Sequence, residues 1–180
     1  IHKGCCSGNR RLVVESMRDR MSETGAEVVV LQEIDGTASK SDAKRRRFSY
    51  PDQPHFEYLA EEAWPHFAYG RNAIYRKGDH GNAILSMYPF ASWENIDISV
   101  IPRSNRSILH GVIELPHKNT RLHTLCVHLG LLEQERREQL QAGLGREVQQ
   151  LVELVAAERV SLGGALDLDE TAAVVHHDVH

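Results

Sequence analysis

Glu27-Val28-Val29-Val30-Leu31-Gln32-Glu33 is the stretch that decides how this chain is read. Four apolar residues, three of them β-branched, run without interruption and end at two polar ones. A strand with one wet face alternates apolar and polar residues, so an unbroken apolar run bounded by turn formers implies a strand buried on both faces. Such a strand needs cover on each side, which points to a layered α/β protein. Glu33 is then expected at the strand's C-terminal mouth. Ligands enter helix-covered sheets at that edge, where a carboxylate can serve as metal ligand or base.

Upstream, Arg10 to Thr24 carries Leu12, Val13, Met17 and Met21 at helical spacing, and Gly25 supplies a C-terminal stop. Ile1-His2-Lys3-Gly4 reads as the end of an earlier strand. Downstream, Gly36 to Pro54 turns polar and reads as a long surface loop. Its basic run Lys44-Arg45-Arg46-Arg47 is either a solvated face or a contact for a phosphate-bearing substrate. Phe56 to Trp64 predicts a short amphipathic helix stopped by Pro65. Asn72 to Tyr75 and Asn82 to Met87 predict two strands joined through Arg76-Lys77-Gly78-Asp79-His80-Gly81. Trp93 to Ser99, Ser107 to Leu115 and Arg121 to Leu129 continue an antiparallel sheet. Leu132 to Glu158 predicts one long helix or two, and Val160 to Leu162 a further strand. The tail His176-His177-Asp178-Val179-His180 is read as an incidental histidine tail; were it helical, His176 and His180 would share a face at a spacing metals use.

Bulk properties narrow the class. A length of 180 residues suits about one domain with a real core. Apolar content of 41% and charged content of 26% are ordinary for a globular chain. A formal net charge of −4 argues against a strongly basic nucleic-acid binder, leaving room for a local basic patch. Cys5 and Cys6 are adjacent and poorly placed to pair, which fits a reducing compartment and gives a cytoplasmic expectation. No run approaches the roughly 18 apolar residues of a membrane span. The chain opens on Ile1 rather than Met, so a preceding segment is expected.

Two further features bear on chemistry. In Cys126-Val127-His128-Leu129-Gly130-Leu131 a strand delivers a histidine to its end, ahead of a helix carrying Arg136, Arg137 and Gln139; Arg106 precedes the strand before it. A hairpin brings the start of one strand and the end of the next to one edge, so Arg106 and His128 are expected to converge. A guanidinium and an imidazole near a carboxylate-held divalent ion suit phosphoryl chemistry, in which negative charge must be neutralised.

Taken together, Ile1-His2-Lys3-Gly4, Leu31-Gln32-Glu33, Tyr69-Gly70-Arg71-Asn72-Ala73, His80-Gly81-Asn82-Ala83-Ile84-Leu85-Ser86 and Val127-His128-Leu129-Gly130-Leu131 resemble the endonuclease/exonuclease/phosphatase superfamily, and most of all its small bacterial branch. The resemblance runs over roughly residues 1 to 155. It implies a single α/β (α+β) domain over 1–180, a four-layer α/β/β/α sandwich of mostly antiparallel sheets, lacking the family's first strand and C-terminal segment. It further implies magnesium-dependent hydrolysis of a phosphodiester or phosphomonoester, with manganese as a substitute metal. By position, Glu33 matches the metal-binding glutamate, Arg106 the residue that steadies the substrate phosphate, and His128 the catalytic histidine at the scissile phosphate. His80 falls where relatives place a partner for that histidine, and Asn82 lies in the glycine-led strand motif, on the substrate side or in a structural role.

The departures are informative. The family's first metal-site asparagine would precede Ile1. Its Gly-Asp-Phe/Leu-Asn motif compares with Gly164-Ala165-Leu166-Asp167, where alanine replaces the general base; a two-residue shift to Asp167-Leu168-Asp169 restores an acid on the same strand face. Asp167 is the candidate catalytic acid in the shifted register; in the first it stands where the family has its phosphate-binding asparagine. The closing Ser-Asp-His motif is absent. Substrates consistent with this reading are nucleic acid, a phospholipid headgroup or a small phosphoester. The alternative is a catalytically inactive relative that binds phosphate or a protein partner.

Overall fold

A computed structural model of the chain describes residues 14–38, 52–61, 63–75, 78–102, 105–116 and 120–143, together with the backbone of 172–177. The apolar run forms the first half of strand β1 (Val28–Ala38), preceded by helix α1 (Val14–Glu23). Gly25, at φ 65°, stops that helix, donating its N–H to the Ser22 carbonyl at 3.2 Å. Helix α2 (His55–Ala60) and strands β2 (His66–Tyr75), β3 (Gly78–Ser86), β4 (Phe90–Asp97), β5 (Ser107–Leu115) and β6 (Thr120–Val127) follow. Helix α3 (Glu133–Gly143) and strand β7 (Ala172–His177) complete the order.

Two antiparallel sheets result. The first has the order β1-β3-β2 and the second β4-β5-β6-β7. The double burial expected of the valine run is present. Val29 and Leu31 pack with Val14, Phe56, Leu59 and Trp64 in the layer between the first sheet and helices α1 and α2. Val28 and Val30 pack on the opposite side, against the core between the sheets built from Ala68, Ile84, Leu109, Ile113, Leu122 and Cys126. The described residues thus build helix, sheet and sheet layers of the expected α/β sandwich. Among them, no helix is long and apolar enough to cross a membrane.

Several boundaries differ from the sequence reading. Strand β1 does not end at Glu33 but runs on to Ala38, and Gly36 is buried within it rather than opening a loop. The helix expected over Phe56 to Trp64 is only His55–Ala60. Trp64 leaves it to bury its ring and donate Nε1–H to the Ala26 carbonyl at 2.8 Å, a tertiary bond that outweighs local periodicity. Strands β2 and β3 extend to Tyr75 and from Gly78, so most of the residues assigned to their connection are ladder residues. Residues 172–177 are not helical but form a strand paired with β6, with Leu122 opposite His176 and Arg121 opposite His177; 178–180 lie outside the described residues. The basic run 44–47, the second part of the long helical region beyond 143, the strand expected at 160–162 and the acids at 167 and 169 lie outside the described residues.

Candidate active site

The site begins with two irregularities that flank one residue. From Val28 to Leu31, β1 pairs regularly with Ser86 to Ala83 of β3; pairing resumes at Ile34 opposite Gly81. Three steps along β1 therefore match two along β3, a bulge that holds Gln32 and Glu33. On the other side of β3, Arg71 pairs with Gly81 and Ala73 with His80, leaving Asn72 as the extra residue of β2. Asn82, on the strand between, lies opposite the β1 bulge and pairs with Gly70, two residues before Asn72. Glu33 carries φ 52°, the left-handed region that a non-glycine residue enters at a cost of roughly 1–3 kcal/mol. Such strain persists only where surrounding structure imposes it, and here both flanking ladders do.

The expected convergence is present. Ile108 pairs with Val127 in the β5–β6 hairpin, so Arg106 and His128 leave the second sheet at the same edge. Burial holds the His128 pKa below the ordinary histidine range, the Arg106 charge lowers it further and the Glu33 charge pulls it back up. Glu33, Arg106 and His128 are thus within electrostatic reach of one another, and burial together with Arg106 favours the uncharged imidazole.

Arg106 is fixed through its backbone. Its N–H donates to Ser99 Oγ at 3.0 Å and its carbonyl accepts from the Ile98 N–H at 3.0 Å. One terminal guanidinium nitrogen donates to the Asn105 carbonyl at 3.1 Å, while Nε is buried without a hydrogen-bond partner. A buried donor of this kind is well suited to an anion that can accept from it.

The loop after His128 is held from below. The Gly130 N–H donates to Gln139 Oε1 at 2.8 Å, and Gln139 Nε2 donates to Glu135 Oε1 at 2.9 Å. Gly130 leaves room for the Glu135 carboxylate, which would have to shift if a Cβ stood there. Gln139 is fully buried. Helix α3 thereby anchors the histidine loop through a polar side chain whose importance nothing in the local pattern announces.

Asn82 is fully buried, and its Nδ2 donates to the carbonyls of Ser107 at 3.3 Å and Cys126 at 3.2 Å. Of its two expected roles, the geometry supports the structural one. His80 stands two residues along β3, half-buried and stacked on Tyr75 with ring centroids 5.3 Å apart. Gln32 and Asn72 lie inside the sequence motifs, where residue type alone assigns them no role. Gln32 Nε2 donates to the Val127 carbonyl at 2.6 Å, and Asn72 Oδ1 accepts from Ser107 Oγ. A polar residue directly after a doubly buried run was the available signal for Gln32.

As to a metal, the Glu33 carboxylate offers hard oxygen donors within electrostatic reach of His128. Magnesium is commonly held by one or two carboxylates, with water and substrate phosphate oxygens completing its shell. Glu33 fits that role. Among the described residues no group of three or more His, Cys, Asp or Glu converges to hold a metal, so these residues do not form a closed protein cage.

No family model matches the sequence. The chain is 42% identical over 140 residues to the uncharacterized protein YbhP of Escherichia coli strain K12 and, to the same extent, to that of Shigella flexneri. That match takes in 78% of this chain and 54% of the relative, so the chain spans about half the length of the curated relatives it matches. Among solved structures it is similar to an endonuclease/exonuclease/phosphatase from Beutenbergia cavernae, with TM-score 0.63 and 16% identity, over 78% of this chain and 40% of that one. It is also similar to an endonuclease/exonuclease/phosphatase family protein from Leptotrichia buccalis, with TM-score 0.56 and 13% identity, over 78% and 57%. At these identities the likeness is one of architecture, and it agrees with the sandwich: the chain has the endonuclease/exonuclease/phosphatase fold.

Proposed function

We propose that this chain carries the phosphate-handling part of a divalent-metal-dependent phosphoesterase, hydrolysing a phosphodiester or phosphomonoester. The observation that carries this reading is the convergence of Glu33, on a strained bulge, with Arg106 and His128 at one edge of the sandwich. In this reading Glu33 holds magnesium, or manganese in its place; when bound, the ion supplies Lewis-acid stabilisation of charge on the phosphoryl group. Arg106 binds and orients the phosphate through its guanidinium. His128, uncharged, donates a ring N–H to an oxygen that gains charge in the transition state. Asp167 is the proposed acid that takes a proton from water, and substrates range over nucleic acid, phospholipid headgroups and small phosphoesters, which share the phosphoester.

The test is turnover of a chromogenic phosphodiester with magnesium or manganese. Glu33→Ala is expected to reduce the metal-dependent rate to background, and a rate unchanged by that substitution sinks the reading. No turnover by the native chain, with phosphate binding that Arg106→Ala removes, would favour binding without hydrolysis.

A further inference from the structure

We infer that Gln32, Asn72 and Asn82 are positioning residues: three amides from the three strands of the first sheet fix the ends of β5 and β6, and with them Arg106 and His128. The inference rests on the reading of those two residues as the groups that contact phosphate. The three amides belong to adjacent strands within a few residues of one another along the sheet, and two of them stand at the bulges of β1 and β2. All three reach across to the same strand ends. Gln32 binds the Val127 carbonyl, whose carbon is bonded to the His128 nitrogen. Asn72 binds the Ser107 hydroxyl, one residue from Arg106. Asn82 joins both ends, with one donor hydrogen directed to Ser107 and the other to Cys126.

Each carbonyl lies one or two residues from a side chain that handles phosphate, so a change in an amide is transmitted through very little chain. Hydrogen bonds are directional and short-ranged and fix position to a fraction of an ångström, as apolar contact does not. The bulges thus have two products. One is the placement of Glu33, half-buried, at this end of the sheet; the other is Gln32 and Asn72, two of the three amides tied to the opposite sheet.

The experiment uses the full chain with inorganic phosphate as the probe and the His128 ring resonances in NMR at fixed pH as the readout of placement. Asn82→Ala and Gln32→Met are compared with Ile84→Val, which perturbs the apolar core on the same strand. Both amide variants are expected to move the His128 resonances and to weaken phosphate binding by about tenfold, whereas Ile84→Val lowers Tm and leaves both readouts in place. If Asn82→Ala does not fold, Gln32→Met, which keeps side-chain length and loses the amide group, decides the matter. Unchanged His128 resonances in the folded amide variants, or equal movement in Ile84→Val, overturn the inference. A native chain that does not bind phosphate counts against the proposed function, while the ring resonances still decide whether the amides set the position of His128.

Discussion

The space between the two sheets is filled in two different ways. At one end, Ala68, Ile84, Leu109, Ile113 and Leu122 pack as an apolar core; at the other, Gln32, Asn72 and Asn82 cross the same gap with hydrogen bonds. Cys126 stands at the junction, buried in the core and donating its thiol to the Leu31 carbonyl at 3.4 Å. The apolar end supplies cohesion, because burial of hydrocarbon is non-directional and scales with area. The polar end supplies position. The proposed site, in which an arginine and an imidazole meet a developing charge, would need the second, and those two residues sit at that end.

The largest expected contrast is between His128→Ala and Ile84→Ala. The first should cost about 100- to 1,000-fold in turnover, the range for removing one stabiliser of transition-state charge, with little change in Tm. The second should cost about 2–5 kcal/mol in denaturant unfolding, because Ile84 is fully buried, yet leave turnover per folded molecule near native. If Ile84→Ala instead abolished turnover in folded protein, the division of labour between the two ends would fail.

A smaller effect is expected at the bulge. Glu33→Gly relieves a left-handed non-glycine residue and should raise stability by about 1 kcal/mol while removing metal-dependent activity. Chemical unfolding alongside the phosphodiester assay checks both halves. Loss of stability in Glu33→Gly would mean that the carboxylate, and not the bulge alone, helps hold this end together.

The pH dependence of stability gives the next test. His128 has a folded pKa lowered first by burial and then by Arg106. The folded state therefore binds fewer protons than the unfolded state between its folded pKa and about 6.5, so stability falls as pH drops through that window. His128→Gln should flatten this part of the profile in urea unfolding measured at a series of pH values, and an unaltered slope would place the titration elsewhere. The smallest expected signal is at Cys126, where burial pushes the thiol pKa up to about 12. Alkylation of this thiol in the native chain should be slow at pH 8 and accelerate only on unfolding.

The sequence made the layered fold legible because residues 28–31 leave no wet face for a strand and demand cover on both sides. Arg106 and His128 were legible together because hairpin connectivity alone brings them to one edge. Glu33 was found for a reason that needed correction: the strand does not end there but bulges and continues to Ala38. A bulge depends on how two strands slip past each other, and no property of Leu31-Gln32-Glu33 taken singly encodes that slip.

What the chain by itself determined is therefore the class of fold and the chemistry available at its edge, since hydrophobic period and hairpin order are local quantities written in residue type. Only the tertiary structure decided which polar residues are buried to hold the site and which are left to act. Gln32, Asn72, Asn82 and Gln139 look like ordinary polar positions in sequence; their roles follow from the carbonyls, hydroxyl and amide that distant strands and loops bring within about 3 Å.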